Sequence, residues 1–259
     1  MPMLQVQDQG RIRLLTLDRP DALNSFNEAL YDAAADGLND AAADRGVAVV
    51  VLTGTGRAFS AGQDVLEMAA RTTGADFTPG RHGFPGFVKA LREFPKPLLC
   101  AVNGMALGIG GTLLAYADLV FMSSEARVKL PFTSLAVAPE AGSSLTFPRL
   151  VGRQHATWAL LSSEWIPADE CLRMGLAWRV CEPDALLDET LGYARVLAGK
   201  PISSLVETKA TIVAGLLDGL DAALDRENAA FARLLGQPAN LEAFAAFAER
   251  REPNFDGID

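Results

Sequence analysis

Lys96–Phe121 reads KPLLCAVNGMALGIGGTLLAYADLVF, and the fold turns on how this stretch is parsed. From Pro97 to Ala117 it carries no charge and is about long enough to span a bilayer. Pro97, Asn103, Thr112 and glycines 104, 108, 110 and 111 interrupt it, and the pattern changes midway. PLLCAVN reads as a buried strand over 97–103 and GTLLAYAD as a helix over 111–118, joined by a glycine turn. LVFM at 119–122 is a further buried strand and RVKL at 127–130 a short one. Upstream, Gly10–Leu17 alternates and then runs apolar, like a strand. VAVVVLT at 47–53 is a β-branched run without alternation, as expected of a strand covered on both faces. Between these two, residues 27–44 place Leu30, Ala33, Ala34, Leu38 and Ala41 at helical spacing, with Asn24 or Ser25 available as the cap. A short helical piece is expected at 65–70, an irregular surface loop at 71–86 and a helix at 87–94. Residues 139–149 open as a turn and become helical. From Thr157 onward the pattern is mostly helical, with its best amphipathic stretch at Leu217, Leu220, Leu224, Phe231 and Leu234. Strands alternate with helices for two thirds of the chain and helices fill the rest, so the fold class is α/β, one core with a helical C-terminal part.

The 259 residues hold 32 acidic and 23 basic side chains, a net charge of −9, which argues against a nucleic-acid or anionic-membrane surface. A small anionic ligand held by backbone amides remains compatible with it. Cys100, Cys171 and Cys181 lie far apart with no CxxC, and the histidines are His82 and His155, so neither a disulfide framework nor a metal site is expected. The N-terminal stretch lacks a basic region followed by an apolar core, so the expected location is cytoplasmic, with no membrane span.

The nucleotide and hydrolase motifs fail on inspection. Gly54-Thr55-Gly56 puts Phe59 where a dinucleotide fingerprint needs its third glycine, and Gly108-Ile109-Gly110 puts Leu113 there. Ser60 follows Ala58-Phe59 and makes no nucleophile elbow. Two glycine-rich strand-to-helix junctions remain, 58–64 and 103–112. Each leaves backbone N–H groups free near a helix start, and a pair of such donors suits a developing oxyanion. Tight turns that need small residues explain them too, and the residues taken alone favour that plainer reading.

AFSAGQDVLEM at 58–68 together with 96–121 resembles the enoyl-CoA hydratase/isomerase, or crotonase, superfamily. LDRPDALNSFN at 17–27, GLAWRV at 175–180 and AFAERREPNF at 246–255 extend the resemblance over nearly the whole chain. It implies a crotonase-like spiral of ββα units over 1–195, with a C-terminal helical trimerisation region over 196–259. The assembly implied is a homotrimer or a dimer of trimers. The substrate implied is an acyl-CoA thioester; no cofactor is needed, because coenzyme A is part of the substrate. The implied oxyanion donors are the backbone N–H groups of Gln63 and Ile109, where a small residue and a glycine are commoner. CoA contacts are implied at Ala22, Ala61 and Asp64, and at Phe247 and Arg250 near the last helix end.

Family hydratases carry two glutamates, and this chain has Thr112 and Phe132 at those positions. Water addition needs one group to activate water and one to deliver a proton, so the resemblance to a two-glutamate hydratase fails at the chemistry. LPFTSLAVAPEAGSSLTFPRLVG at 130–152 instead resembles the Δ3,Δ2-enoyl-CoA isomerase branch, in which the glutamate after proline, here Glu140, is the single base. Leu130 and Phe132 become apolar walls of the acyl pocket, which raise the affinity of Glu140 for its proton. By position alone, Glu140 also reads as a carboxylate at a helix N-terminus. The alternatives are another crotonase reaction, hydration or thioester cleavage, with a second group such as Asp76 or His82 from the 71–86 loop, or a non-catalytic acyl-CoA-binding protein. Asp64 doubles as a helix cap, Asp118 reads as structural, Lys209 as a phosphate contact or surface charge, and Ser143 and Ser144 as caps.

Overall fold

The computed structural model describes residues 3–68, 77–249 and 251–258. Ten strands form two sheets: β1 (Leu4–Gln9), β2 (Ile12–Leu17), β3 (Val49–Gly54), β4 (Ala58–Ser60), β5 (Leu98–Val102), β6 (Met105–Leu107), β7 (Leu119–Ser123), β8 (Arg127–Lys129), β9 (Ile166–Pro167) and β10 (Arg179–Cys181). The larger sheet runs β1-β2-β3-β5-β7-β10 and the smaller β4-β6-β8-β9. From β3 onward the chain lays one strand in the large sheet and the next in the small one, three times over. This is the spiral of strand pairs and helices that the sequence led us to expect. Only the hairpin β1–β2 and the pair β8–β9 are antiparallel.

The apolar runs explain the large sheet. In β3, Val50 and Leu52 face the helix Glu28–Ala43 with Leu30 and Leu38, while Val49 and Val51 face the helix Leu186–Ala198 with Leu191 and Ala194. In β5, Leu98, Cys100 and Val102 take the first side and Leu99 and Ala101 the second. A strand covered on both faces cannot alternate, and neither does.

Several boundaries moved. The Asn27 side chain, not Asn24 or Ser25, caps the first helix by accepting from the Leu30 N–H at 2.9 Å. The turn expected between 103 and 111 contains a strand of its own, β6, paired with β4 and β8. The expected helix 111–118 is shorter and tighter, Ile109–Thr112 followed by a 3-10 turn at Leu113–Tyr116. β1 went unread because LQVQDQ is an edge strand with only Leu4 buried. The helix expected at 87–94 starts earlier, at Gly83, and the C-terminal helices are Ile202–Leu216, Leu220–Leu234 and Pro238–Glu249. Residues 65–68 are helical; Asp76 and Arg250 lie outside the described residues. Among the described residues no helix is long and apolar enough to cross a membrane.

Candidate active site

The two glycine junctions come together where β4 and β6 end side by side. Gly62 has φ +85°, and a Cβ there would lie 2.8 Å from the Leu107 carbonyl oxygen. Gly108 has φ +52°, and its Cβ would lie 3.9 Å from Gly62 Cα and 4.0 Å from Glu140 Oε1. Both positions need glycine for the positive φ, and Gly62 needs it for the close approach as well.

The next residue in each junction carries an unpaired amide. Gln63 is bridged in parallel to Phe26: the Phe26 N–H donates to the Gly62 carbonyl at 2.7 Å and the Asp64 N–H to the Phe26 carbonyl at 2.8 Å. That pattern turns the N–H of Gln63 itself away from Phe26. Ile109 opens its short helix, where first-turn amides have no partner within the helix. Among the described residues neither N–H has an acceptor, and both residues line one cavity of about 290 Å³ together with Glu140.

Pro131, Phe132, Leu135, Val137 and Trp165 make the apolar wall, and Phe231, Phe244 and Phe247 close it from the last two helices. Among the described lining residues Glu140 is the one carboxylate and Lys129 the one cation. Glu140 is half-buried. Burial pushes its carboxyl up to about 7, and the negative charge of Glu227 adds to the shift. Two larger hollows, of about 520 Å³ at Trp158 and Leu161 and about 500 Å³ at Arg57 and Asn103, contain none of Gln63, Ile109 and Glu140.

The turn that presents Glu140 is held on several sides. Ala141 and Gly142 both have positive φ, +56° and +71°. The Tyr116 hydroxyl donates to the Ala141 carbonyl at 2.6 Å, and Ser143 Oγ donates to the Glu140 carbonyl at 2.6 Å. Glu227, buried on the Leu220–Leu234 helix, accepts from the Gly142 N–H at 2.7 Å and the Ser144 N–H at 2.8 Å. Sequence reasoning missed Glu227. Its signal was available: it is the acid on the helix face that carries Leu220, Leu224 and Phe231.

The other expected residues divide. Phe132, Ala61 and Phe247 line the cavity. Leu130 does not; it is fully buried, packed where a Cβ on Gly111 would meet it at 2.9 Å, and its neighbours Lys129 and Pro131 line the cavity instead. Ala22 lies in the 3-10 turn Pro20–Ala22, next to Leu23, whose carbonyl accepts from the Ala61 N–H at 2.9 Å. Asp64 caps residues 65–68 through the Leu66 and Glu67 amides and pairs with Arg19 at 2.6 Å. Burial pushes its carboxyl up, and the Arg19 hydrogen bond and charge together with the Glu67 and Leu66 amides outweigh that and hold it below the usual range. Thr112, at one hydratase-glutamate position, is fully buried.

Four side chains fall outside the cavity. His82 is bonded to Asp36 at 3.0 Å. Lys209 is neither a surface charge nor free for phosphate: its Nζ is buried against the Lys96 carbonyl and Asp118. Ser143 and Ser144 do not cap their helix by side chain; Gly142 takes the cap position, and Glu227 supplies the carboxylate. Cys100, Cys171 and Cys181 are free and buried.

Comparison with known proteins agrees with this geometry. The family model described as enoyl-CoA hydratase/isomerase matches residues 7–258. A 1,2-epoxyphenylacetyl-CoA isomerase of Escherichia coli is 34% identical over 95% of this chain and 95% of its own. A 2,3-dehydroadipyl-CoA hydratase of the same organism is 35% identical over 99% and 100%. Among solved structures, an enoyl-CoA hydratase of Mycobacterium marinum is 62% identical at TM-score 0.79, over 82% of this chain and 99% of its own. An enoyl-CoA hydratase/isomerase of Pseudoalteromonas atlantica superposes at TM-score 0.89 with 36% identity, over 98% and 99%. The chain therefore belongs to the enoyl-CoA hydratase/isomerase family, and its two-sheet spiral is the crotonase fold.

Proposed function

We propose that this protein is a Δ3,Δ2-enoyl-CoA isomerase with Glu140 as its single acid–base group. The observation that carries the reading is the solitary carboxylate: among the described residues lining the cavity, Glu140 is the one carboxyl group, and it stands with the Gln63 and Ile109 amides. The ionised carboxylate removes the α-proton of a 3-enoyl thioester. The electron pair delocalises over the diene and the thioester oxygen, which accepts hydrogen bonds from the Gln63 and Ile109 amides. The protonated Glu140 then returns the same proton to C4. The double bond now lies between C2 and C3, and the carboxylate is regenerated. A carboxyl poised near 7 is a far stronger base than an ordinary one and is still half-ionised at neutral pH. Phe132 and the aromatic wall keep water from the dienolate.

Binding belongs to the same proposal: coenzyme A runs past Ala22, Ala61 and Asp64, with Phe247 on the aromatic side of the cavity, and the chain self-associates as a homotrimer or a dimer of trimers.

Hydration of a 2-enoyl thioester is the second reading, favoured by the names of several relatives. It asks Glu140 both to activate water and to supply the α-proton. The deciding experiment mixes the purified protein with trans-3-hexenoyl-CoA and follows the ultraviolet absorbance of the conjugated thioester, with crotonyl-CoA in parallel. Growth of the conjugated product without loss of crotonyl-CoA is the expected result. Loss of crotonyl-CoA without isomerisation favours the hydratase, and silence with both favours a binding protein.

A further inference from the structure

The turn carrying Glu140 is built from strained backbone. Ala141 sits in the left-handed region, which costs a non-glycine residue about 1 kcal/mol or more, and Gly142 follows it there. Such a turn persists only if its surroundings hold it. Its amides at 142 and 144 both end on one carboxylate, that of Glu227, at 2.7 and 2.8 Å. Nothing local in sequence supplies this: Glu227 lies on the Leu220–Leu234 helix, 85 residues beyond Gly142. The same helix face packs Leu220 where a Cβ on Gly142 would meet its Cδ1, and sets Phe231 in the cavity wall one turn past Glu227.

We propose that Glu227 is the positioning residue of this site: its carboxylate spans two amides of the turn that bears the base and so fixes Glu140 against the Gln63 and Ile109 donors. The inference rests on Glu140 being the base of the proposed reaction. The two amides end on different oxygens of the carboxylate, so a glutamine there would turn its NH2 group against one of them. Its charge also stands beside Glu140 in a poorly solvated place. Like charge disfavours ionisation, so Glu227 strengthens the base it holds. The other groups facing Glu140 among the described residues are the buried Tyr31 phenol from the first helix and Lys129 from β8. Tyr116, which holds Ala141, also feels the Glu227 charge.

The test compares Glu227→Gln with Glu227→Asp. Carbon-13 NMR of glutamate side-chain carboxyls reads the Glu140 titration without substrate, assigned through Glu140→Gln. Turnover of trans-3-hexenoyl-CoA reads kcat and KM. Glu227→Gln is expected to lower kcat about 100-fold with a smaller change in KM, and to move the Glu140 midpoint to lower pH. Glu227→Asp keeps the charge and shortens the reach, so kcat falls while the midpoint stays nearer the wild type. A folded Glu227→Gln protein with wild-type kcat and midpoint overturns the proposal. Should Glu227→Gln fail to fold, wild-type kcat in Glu227→Asp overturns it instead. Should the wild type isomerise nothing, it is the proposed function that falls. The positioning role falls with it, and an unmoved midpoint in Glu227→Gln then also removes the coupling between the two carboxyls.

Discussion

At the scale of single residues, Glu140 sets opposite demands on activity and stability. The proposed reaction needs the ionised form, so kcat/KM is expected to rise with pH through about 7. Folding prefers the protonated form. The folded pKa lies above the unfolded one, so the stability this group contributes is complete below about 4.5 and is lost as pH rises through about 7. Glu140→Gln should therefore abolish turnover, by about 1,000-fold or more, while raising Tm by a few degrees at pH 8.5 and leaving it unchanged at pH 4. Calorimetry at the two pH values checks the sign; a lower Tm at pH 8.5 would contradict the buried, poorly solvated carboxyl. Tyr31 makes a related case. It is fully buried, stacked on Phe26, and its hydroxyl has no hydrogen-bond partner among the described residues. Tyr31→Phe is expected to keep stability or raise it by up to about 1 kcal/mol, measured by urea unfolding. Glu140 was legible from Pro139 before it and Gly142-Ser143-Ser144 after it. For Glu227 only its place on an apolar helix face was legible; its role was not, because its partners are amides 85 and 83 residues away in sequence, and no local pattern encodes a cap supplied by another helix.

At the scale of elements, the close pass of Gly62 over Leu107 fixes how the donor junctions abut. Gly62→Ala adds a Cβ 2.8 Å from a backbone oxygen on a positive-φ residue, so one junction must move. A folded Gly62→Ala enzyme should lose about 100-fold in kcat with little change in KM, the loss expected of a misplaced oxyanion donor; normal kcat would mean that Gln63 is not one. The Ile202–Leu216 helix is tied down differently. Lys209 reaches Asp118 at 2.7 Å, and Asp118 also accepts from the Leu98 N–H at the start of β5. Lys209→Met leaves that partly exposed carboxylate unpaired and should cost about 2 kcal/mol, lowering Tm by roughly 5 °C. The central strands of the large sheet were legible because VVVLT and LLCAV are buried on both faces. The small sheet was not: β4, β6 and β9 are two or three residues long, too short for any period, and each exists only because its neighbours pair with it.

At the scale of the molecule, several large apolar side chains remain uncovered in the single chain. Trp158 and Leu161, one turn apart on the Arg153–Ser162 helix, are 62% and 63% exposed. Burying such a surface between copies is the expected outcome, so light scattering at micromolar concentration should give a multiple of three chains, and Trp158→Lys should reduce it. An α/β core with a helical C-terminal part was readable from alternating strand and helix signals, and the spiral came from the family resemblance, whereas the sides of the cavity come from segments far apart in the chain. Lys129 and Trp165 meet Phe231, Phe244 and Phe247 only once the fold is complete. That separation has a consequence for the order in which a nascent chain matures. Both amide donors and Glu140 emerge from the ribosome with the first 140 residues, and the sheets can assemble around them. The clamp on the base and three aromatic walls come from the helices after Gly219. On the proposed mechanism the site is therefore completed from its tail: a chain stopped at 219 would carry Gln63, Ile109 and Glu140 without the Glu227 clamp and the three phenylalanines, and is expected to show no turnover.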